Sequence, residues 1–457
     1  MAMTKSVSPA QLNWIIAATS FGFVVSQLDV TIVNVALPNM AERLGASTSG
    51  LQWVVDAYAL LFASLLLSAG ALGDRLGAKH VYIGGFVLFA AASLACGLAP
   101  DAPVLIAARA VQGIGAAALV PPSLALLAHA CGDDAKLRAR AIGQWTAAGS
   151  VSIAAGPVAG GLLIGWFGWR SIFLVNLPLV AAGILLTWRF VPETPRNGGG
   201  RHLDLIGQAF AIIALIGLTG SIIEMGPRGW DDGHVQLAFA GGAAAAIIFL
   251  LVEGQRKNPM LPLAFFRIRN FSAAVAVGTV VNLSYYGTIF VLSLYLQQAR
   301  GYGVMAAGLA FLPLTATFIL SNLLSGAVVG HFGSRLPMVI GFLVAACGYL
   351  LLRLLDGATP FWLMAPGFVL IPLGMGFGVP AMTAAMLSSV ERKFSGTASG
   401  VLNTARQAGG AIGVAAFGAL VGRTQGSIVP GLHIAVTISG GLLALAAAMS
   451  FLGIRRQ

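Results

Sequence analysis

Four charged side chains fall inside stretches that are otherwise apolar. They are Asp29 in LDVTIVNVALP (28–38), Asp56 in LQWVVDAYAL (51–60), Arg109 in LIAARAVQGIG (105–115) and Arg406 in LNTARQAGGAIG (402–413). A carboxylate in hydrocarbon costs a few kcal/mol unless it is partnered, protonated or wetted. An arginine keeps its charge and can hold a neighbouring aspartate ionised, whereas burial alone favours the neutral acid. A carboxyl poised between these influences can take up and release a proton as its surroundings change. Asp29, Asp56 and Arg109 are therefore candidates for proton coupling, with a static ion pair between helices as the alternative. Arg406 could instead satisfy helix carbonyls. With Trp53, Tyr58, Asn282, Tyr286 and Gln407 it forms a candidate cavity lining, although membrane aromatics also serve as packing and interface anchors.

The elements that position these residues follow from composition. The chain has 457 residues, 58% hydrophobic and 9% charged, with mean hydropathy +0.88. Globular chains carry about a quarter charged residues. Its 59 glycines and 20 prolines interrupt no long apolar run, a tolerance typical of membrane helices. Fourteen stretches reach the roughly 20 residues needed to cross a bilayer. They lie near 12–36, 50–71, 81–99, 103–128, 141–165, 170–190, 205–224, 235–252, 272–297, 305–329, 337–355, 362–388, 398–421 and 432–453. The expectation is an all-α integral membrane protein. At 1.5 Å per residue, Asp29, Asp56 and Arg109 each lie roughly 9–10 Å below the outer ends of their spans. Glu224 and Glu253 fall at span ends and are expected at the interface.

Charge placement orients the map. With the N-terminus in the cytoplasm, 18 of the 26 Lys and Arg fall on cytoplasmic segments and 6 on outer loops, leaving Arg109 and Arg406 inside spans. The asymmetry places both termini inside. The net charge of +11 is thus spread over short loops and forms no patch suited to nucleic acid. The first span is too long for a signal peptide's apolar core. Cys96, Cys131 and Cys347, like the six histidines, show no metal or redox spacing and suggest no cofactor.

GALGDRLGAK at 70–79 is echoed by GAVVGHFGSR at 326–335, each between two spans on the cytoplasmic side. The offset divides the chain into a six-helix half (1–200), two additional spans (201–264) and a second six-helix half (265–457). Parallel repeats of this kind are a transporter design, with the substrate path between the halves. In AIGQWTAAGSVSIAAGPVAGGLLIG (141–165), Gly143, Gly156, Gly160 and Gly161 leave a face of small residues, and Pro157 should bend the helix.

Together these stretches resemble the major facilitator superfamily, specifically its fourteen-helix drug:proton antiporter family. Residues Leu28–Pro38 resemble the helix 1 signature, and Gly73, Asp74, Arg75, Gly77 and Lys79 the loop motif after helix 2. Arg109–Gly113 is similar to the helix 4 motif, whose arginine is associated with proton coupling. Gly143, Gly156, Pro157, Gly160 and Gly161 resemble the helix 5 antiporter motif, with Ser152 replacing one glycine. The resemblance implies a charge-paired cytoplasmic gate, with Arg138 and Arg140 as candidate partners of Asp74. Gly330 and His331 replace Asp-Arg in the second half and weaken the gate there.

The resemblance further implies a major facilitator fold of two six-helix bundles plus two central helices. It implies a monomeric proton-driven antiporter in a bacterial inner membrane, exporting small amphipathic compounds by alternating access. Asp29 would carry the proton, Arg109 would tune it, and Asp56 would assist or carry a second. A dedicated exporter or symporter of one metabolite is the nearest alternative, and a transporter-shaped sensor a remote one. His129 and Asp134 match an acyltransferase H-x4-D pattern, in which the histidine would be the general base. Gly113-Ile-Gly115 imitates a dinucleotide loop inside a span, and no Walker A sequence is present.

Overall fold

The computed structural model describes residues 9–132, 134–194, 204–256, 259–391, 394–423 and 428–454. The 200/201 boundary and eight of the cations expected on the cytoplasmic side (Lys5, Arg196, Arg201, Lys257, Arg392, Lys393, Arg455 and Arg456) lie outside these. Among the described residues, fourteen long helices follow one another along the chain. They are α1 (Pro9–Leu44), α2 (Thr48–Leu76), α3 (Ala78–Leu98), α4 (Ala102–Ala130), α5 (Ala135–Phe167), α6 (Ser171–Phe190) and α7 (Leu205–Arg228). The others are α8 (Gly233–Gln255), α9 (Arg269–Ala299), α10 (Val304–Phe332), α11 (Arg335–Leu354), α12 (Phe361–Leu387), α13 (Ser395–Arg423) and α14 (Ile428–Gly453).

Thirteen of these are long and apolar enough to span a membrane among the described residues. The fourteenth, α13, has the length, at 29 residues, but carries Thr397, Asn403, Thr404, Arg406 and Gln407. Its surroundings explain the tolerance: α2, α7, α9, α12 and α14 all pack against it. Polar residues are kept where protein, not lipid, surrounds the helix.

Packing repeats with an offset of eight helices. In the first half α1 packs on α4, α5 and α6, α2 on α4, and α3 on α4 and α6. In the second half α9 packs on α12, α13 and α14, α10 on α12, and α11 on α12 and α14. Seams α1–α9, α2–α13 and α5–α10 join the two sets. Helix α7 lies against both α2 and α13, while α8 packs on α7 and is largely exposed. The hairpin stands outside the repeat, with α7 against both halves and α8 on its outer side.

Local chemistry sets the breaks. Helix α4 turns at Ala118–Leu119, where Pro121 and Pro122 remove donors from the next turn. The two repeat loops both turn on glycine, at Gly77 (φ 92°) and Gly333 (φ 69°), where a side chain would be strained.

Candidate functional site

The buried polar centre of the first half joins α1, α3, α4 and α6. Asp29 and Arg109 are fully enclosed and form an ion pair. Asp29 Oδ1 also accepts from Gln112 Nε2 at 2.9 Å and from Asn176 Nδ2 at 3.0 Å. Arg109 Nη1 donates to Gln112 Oε1 at 2.6 Å and its Nε to the Val54 carbonyl at 3.1 Å. Ser93 Oγ accepts from both amides, at 2.8 Å from Gln112 and 3.3 Å from Asn176. The Tyr58 ring covers the guanidinium at 4.3 Å, and its hydroxyl donates to the Ser26 carbonyl at 2.9 Å. Such a network offsets the desolvation of two charges because both Asp29 oxygens are met, although Asn176 Oδ1 has no partner.

Asp56 differs. It is fully buried, and neither carboxyl oxygen has a hydrogen-bond partner. It sits on α2 one turn from Gln52, whose Nε2 donates across the α2–α13 seam to Val414 O at 3.3 Å and Ala415 O at 2.6 Å. One turn the other way, Leu60 packs with Ala411 of α13. The i, i+4 spacing aims Asp56 into the seam between the halves. An ionised carboxylate there would lose its hydration without a compensating donor.

In the second half, Arg406 Nε donates to Asn282 Oδ1 at 3.2 Å, joining α13 to α9. Arg406 is half-buried in a helix ringed by others. Tyr286 lies against Gly410, and Gln407 is buried nearby. Trp53 stands apart from these, its Nε1 donating to Glu224 Oε1 on α7 at 3.0 Å. Glu224 thus ties α7 to α2 besides pairing with Arg228, a role its position at a span end had not suggested. Glu253, expected at the interface, is buried, and its Oε2 accepts from Leu261 N at 2.9 Å.

We call the bundle face where α1 begins the near face. There Asp74 and Arg75 are exposed, and Gly77 N donates to Gly73 O at 3.0 Å, closing the turn. Lys79 reaches Glu193 at 3.5 Å and the Trp188 carbonyl at 3.4 Å. Arg138 donates to the Gly132 carbonyl, and Arg140 lines a cavity of about 210 Å³ with Leu12, Asn13, Ile16 and Gln144. Asp134 caps the first turn of α5 by accepting from Leu137 N at 3.0 Å, and His129 is exposed. The H-x4-D match is therefore a helix cap beside a surface histidine.

At the far face the halves meet. A methyl group on Gly161 would lie 2.8 Å from the Gly308 Cα, so α5 and α10 touch backbone to backbone. Gly156 and Gly160 give α1 the same access, against Thr31 and Ile32, around the in-helix Pro157. Gly143 faces open space. Thr315 of α10 donates to the Ala154 carbonyl of α5.

Sequence reasoning missed Gln112 and Asn176 as partners of Asp29, and Ser93 as the acceptor that joins the two amides. Gln112 lies three residues after Arg109, on one helix face, and that spacing was a usable signal. Asn176 and Ser93 were visible only as polar residues within apolar spans.

The fold, its six-helix repeat and the buried ion pair define a two-halved membrane transporter, and comparison with known proteins agrees. The profile of the Major Facilitator Superfamily matches residues 19–414, and the chain belongs to that family. It is 39% identical to the methylenomycin A resistance protein of Streptomyces coelicolor, over 90% of this chain and 86% of that one. Identity to the methylenomycin A resistance protein of Bacillus subtilis is 36%, over 96% and 93%. Identity to the multidrug resistance protein Stp of Mycobacterium tuberculosis is 37%, over 88% and 75%. Among solved structures, the human organic anion transporter MFSD10 superposes with TM-score 0.67 at 16% identity, covering 97% of this chain and all of that one, a likeness of fold.

Proposed function

We propose that the protein is a proton-coupled antiporter that exports small amphipathic compounds by alternating access. Resistance and export are what its relatives are named for. The observation that carries the proton reading is the contrast between two buried carboxylates, Asp29 satisfied by Arg109 and two amides, Asp56 by none. In this reading the near face is cytoplasmic, as the excess of Lys and Arg there requires, and the membrane is a bacterial inner membrane. The protein works as a monomer of two six-helix halves, residues 1–200 and 265–457, with 201–264 as the added hairpin.

In the conformation described, Asp56 holds its proton in the closed seam. Release to the cytoplasm leaves a carboxylate that favours parting of α2 from α13 or binding of a substrate donor. Asp29 and Arg109 separate or re-form as α1 and α4 adjust, so that Asp29 takes a proton when Arg109 turns away. Trp53, Tyr58, Asn282, Tyr286, Arg406 and Gln407 border the substrate path. Asp74, Arg75, Lys79, Arg138 and Arg140 belong to the cytoplasmic gate. An inward proton gains about 2.3 kcal/mol per 100 mV and about 1.4 kcal/mol per pH unit, enough for a hundredfold gradient with one or two protons.

A second reading, a dedicated exporter of one antibiotic, is favoured by the two relatives named for methylenomycin A. The deciding experiment is ethidium movement in proteoliposomes under an imposed pH gradient, for wild type, Asp29→Asn and Asp56→Asn. Gradient-driven movement lost in a variant assigns coupling to that residue. Wild-type protein that moves methylenomycin A but no ethidium establishes the dedicated exporter, and movement of neither defeats both readings.

A further inference from the structure

Helix α1 runs through Pro38 without ending. A proline inside a helix cannot donate to the carbonyl four residues earlier. The carbonyl so released is that of Asn34, and the other half of the protein takes it. Ser293 Oγ of α9 donates to Asn34 O at 2.6 Å. Four residues on, Gln297 Nε2 donates to Val35 O at 3.0 Å and braces Ser293 Oγ at 3.3 Å. The Asn34 side chain does not compete, because its Nδ2 turns back to the Val30 and Thr31 carbonyls at 3.2 and 3.4 Å.

The bond is dry: Ser293 is 0% exposed and Asn34 2%. A buried carbonyl without a donor costs free energy, so the closed seam needs this contact. When the halves part, water can replace the serine hydroxyl, and opening exchanges one hydrogen bond for another. The π-helical turn Tyr295–Ala299 begins two residues past Ser293 and includes Gln297. Such turns are frequent at functional sites.

We propose that Ser293 and Gln297 are positioning residues of the transport cycle that latch the far gate onto the Asn34 carbonyl freed by Pro38 and the neighbouring Val35 carbonyl. The inference rests on the alternating-access reading above. It adds a cause for the in-helix proline: without it, Asn34 O would be satisfied within α1 and Ser293 would be dispensable.

The test is a double-mutant cycle in the full chain, with Cys96, Cys131 and Cys347 changed to serine and one reporter, Ala307→Cys. Ala307 is buried beside Gly308 at the far end of the α5–α10 seam. Labelling by a membrane-impermeant maleimide from the far side reads opening. Ser293→Ala should speed labelling about fivefold, the equivalent of about 1 kcal/mol for one buried hydrogen bond, while Ser293→Thr should restore the slow rate. In a Pro38→Ala background, Ser293→Ala should change little. No acceleration by Ser293→Ala, or an acceleration that persists in full with Pro38→Ala, overturns the latch. Ethidium transport by the same preparations separates the two readings. Latch effects in a protein that moves no substrate defeat the export reading alone, whereas transport without latch effects defeats the latch alone.

Discussion

Asp29 and Asp56 lie on adjacent helices, both wholly enclosed, and the chain treats them in opposite ways. Asp29 receives Arg109, Gln112 and Asn176, whereas both oxygens of Asp56 are left without a donor. A satisfied carboxylate holds helices in place. An unsatisfied one stores a reason to move, because ionising it favours any conformation that brings water or a donor.

Arg109→Ala should therefore be the more damaging structural change. Removing one partner of a buried pair leaves the other charge uncompensated, at a cost of about 3–5 kcal/mol. It also strips a donor from Gln112 Oε1 and from the Val54 carbonyl. Thermal unfolding in detergent should show a large drop in Tm for Arg109→Ala, with Arg109→Ala/Asp29→Asn recovering part of it. Equal losses in the single and double variants would mean that the pair is not the stabilising unit.

Asp56→Asn should leave stability almost unchanged and remove coupling. Asparagine is close in shape to the neutral acid, and no partner is lost because none is present. Uphill ethidium transport driven by a pH gradient should fall at least tenfold, while exchange of labelled for unlabelled ethidium without a gradient continues. If uphill transport survives, the proton travels elsewhere and Asp29 becomes the candidate.

The far seam predicts a steric phenotype. Gly161 and Gly308 meet backbone to backbone, so Gly308→Val has no space for its side chain without parting α5 from α10. Overpacking costs about 1–3 kcal/mol, and here opening the seam relieves it. Spin labels across the seam should show longer distances in Gly308→Val than in wild type. Gly143→Val, facing open space, should show no change.

Much of this architecture was legible from hydropathy, because a bilayer demands about 20 apolar residues per crossing. Helix α13 was legible by length although its polarity is high, and only its ring of neighbours explains why it is tolerated. The charged pair was legible because Asp and Arg are costly in lipid. The amide of Asn176 and the hydroxyl of Ser93 behind it were not, since both lie on other helices and the rotation of each helix about its axis is set by packing. Lys79 shows the same limit: its partner, Glu193, lies beyond α6, far along the chain. The repeat loops were readable as a pattern, and the structure supplies the cause in the positive φ of Gly77 and Gly333.

The connection between α11 and α12 gives a prediction outside the membrane. Asp356 is held below the usual carboxylate range, first by the Thr359 hydroxyl, which donates to its Oδ1 at 2.7 Å, and then by the Ala358 N–H at 2.8 Å. Its backbone carbonyl accepts the Tyr295 hydroxyl at 2.5 Å, tying the loop to α9. Because the folded value is depressed, the stability it contributes is fully present above the unfolded value of about 3.9 and is lost as pH falls through the folded value. Thr359→Ala removes the largest cause, so the Asp356 carboxyl should titrate at higher pH than in wild type. Carboxyl ¹³C shifts of aspartate-labelled protein, with Asp356→Asn to assign the resonance, read this directly. An unchanged midpoint in Thr359→Ala would mean that the Thr359 hydroxyl does not set the shift.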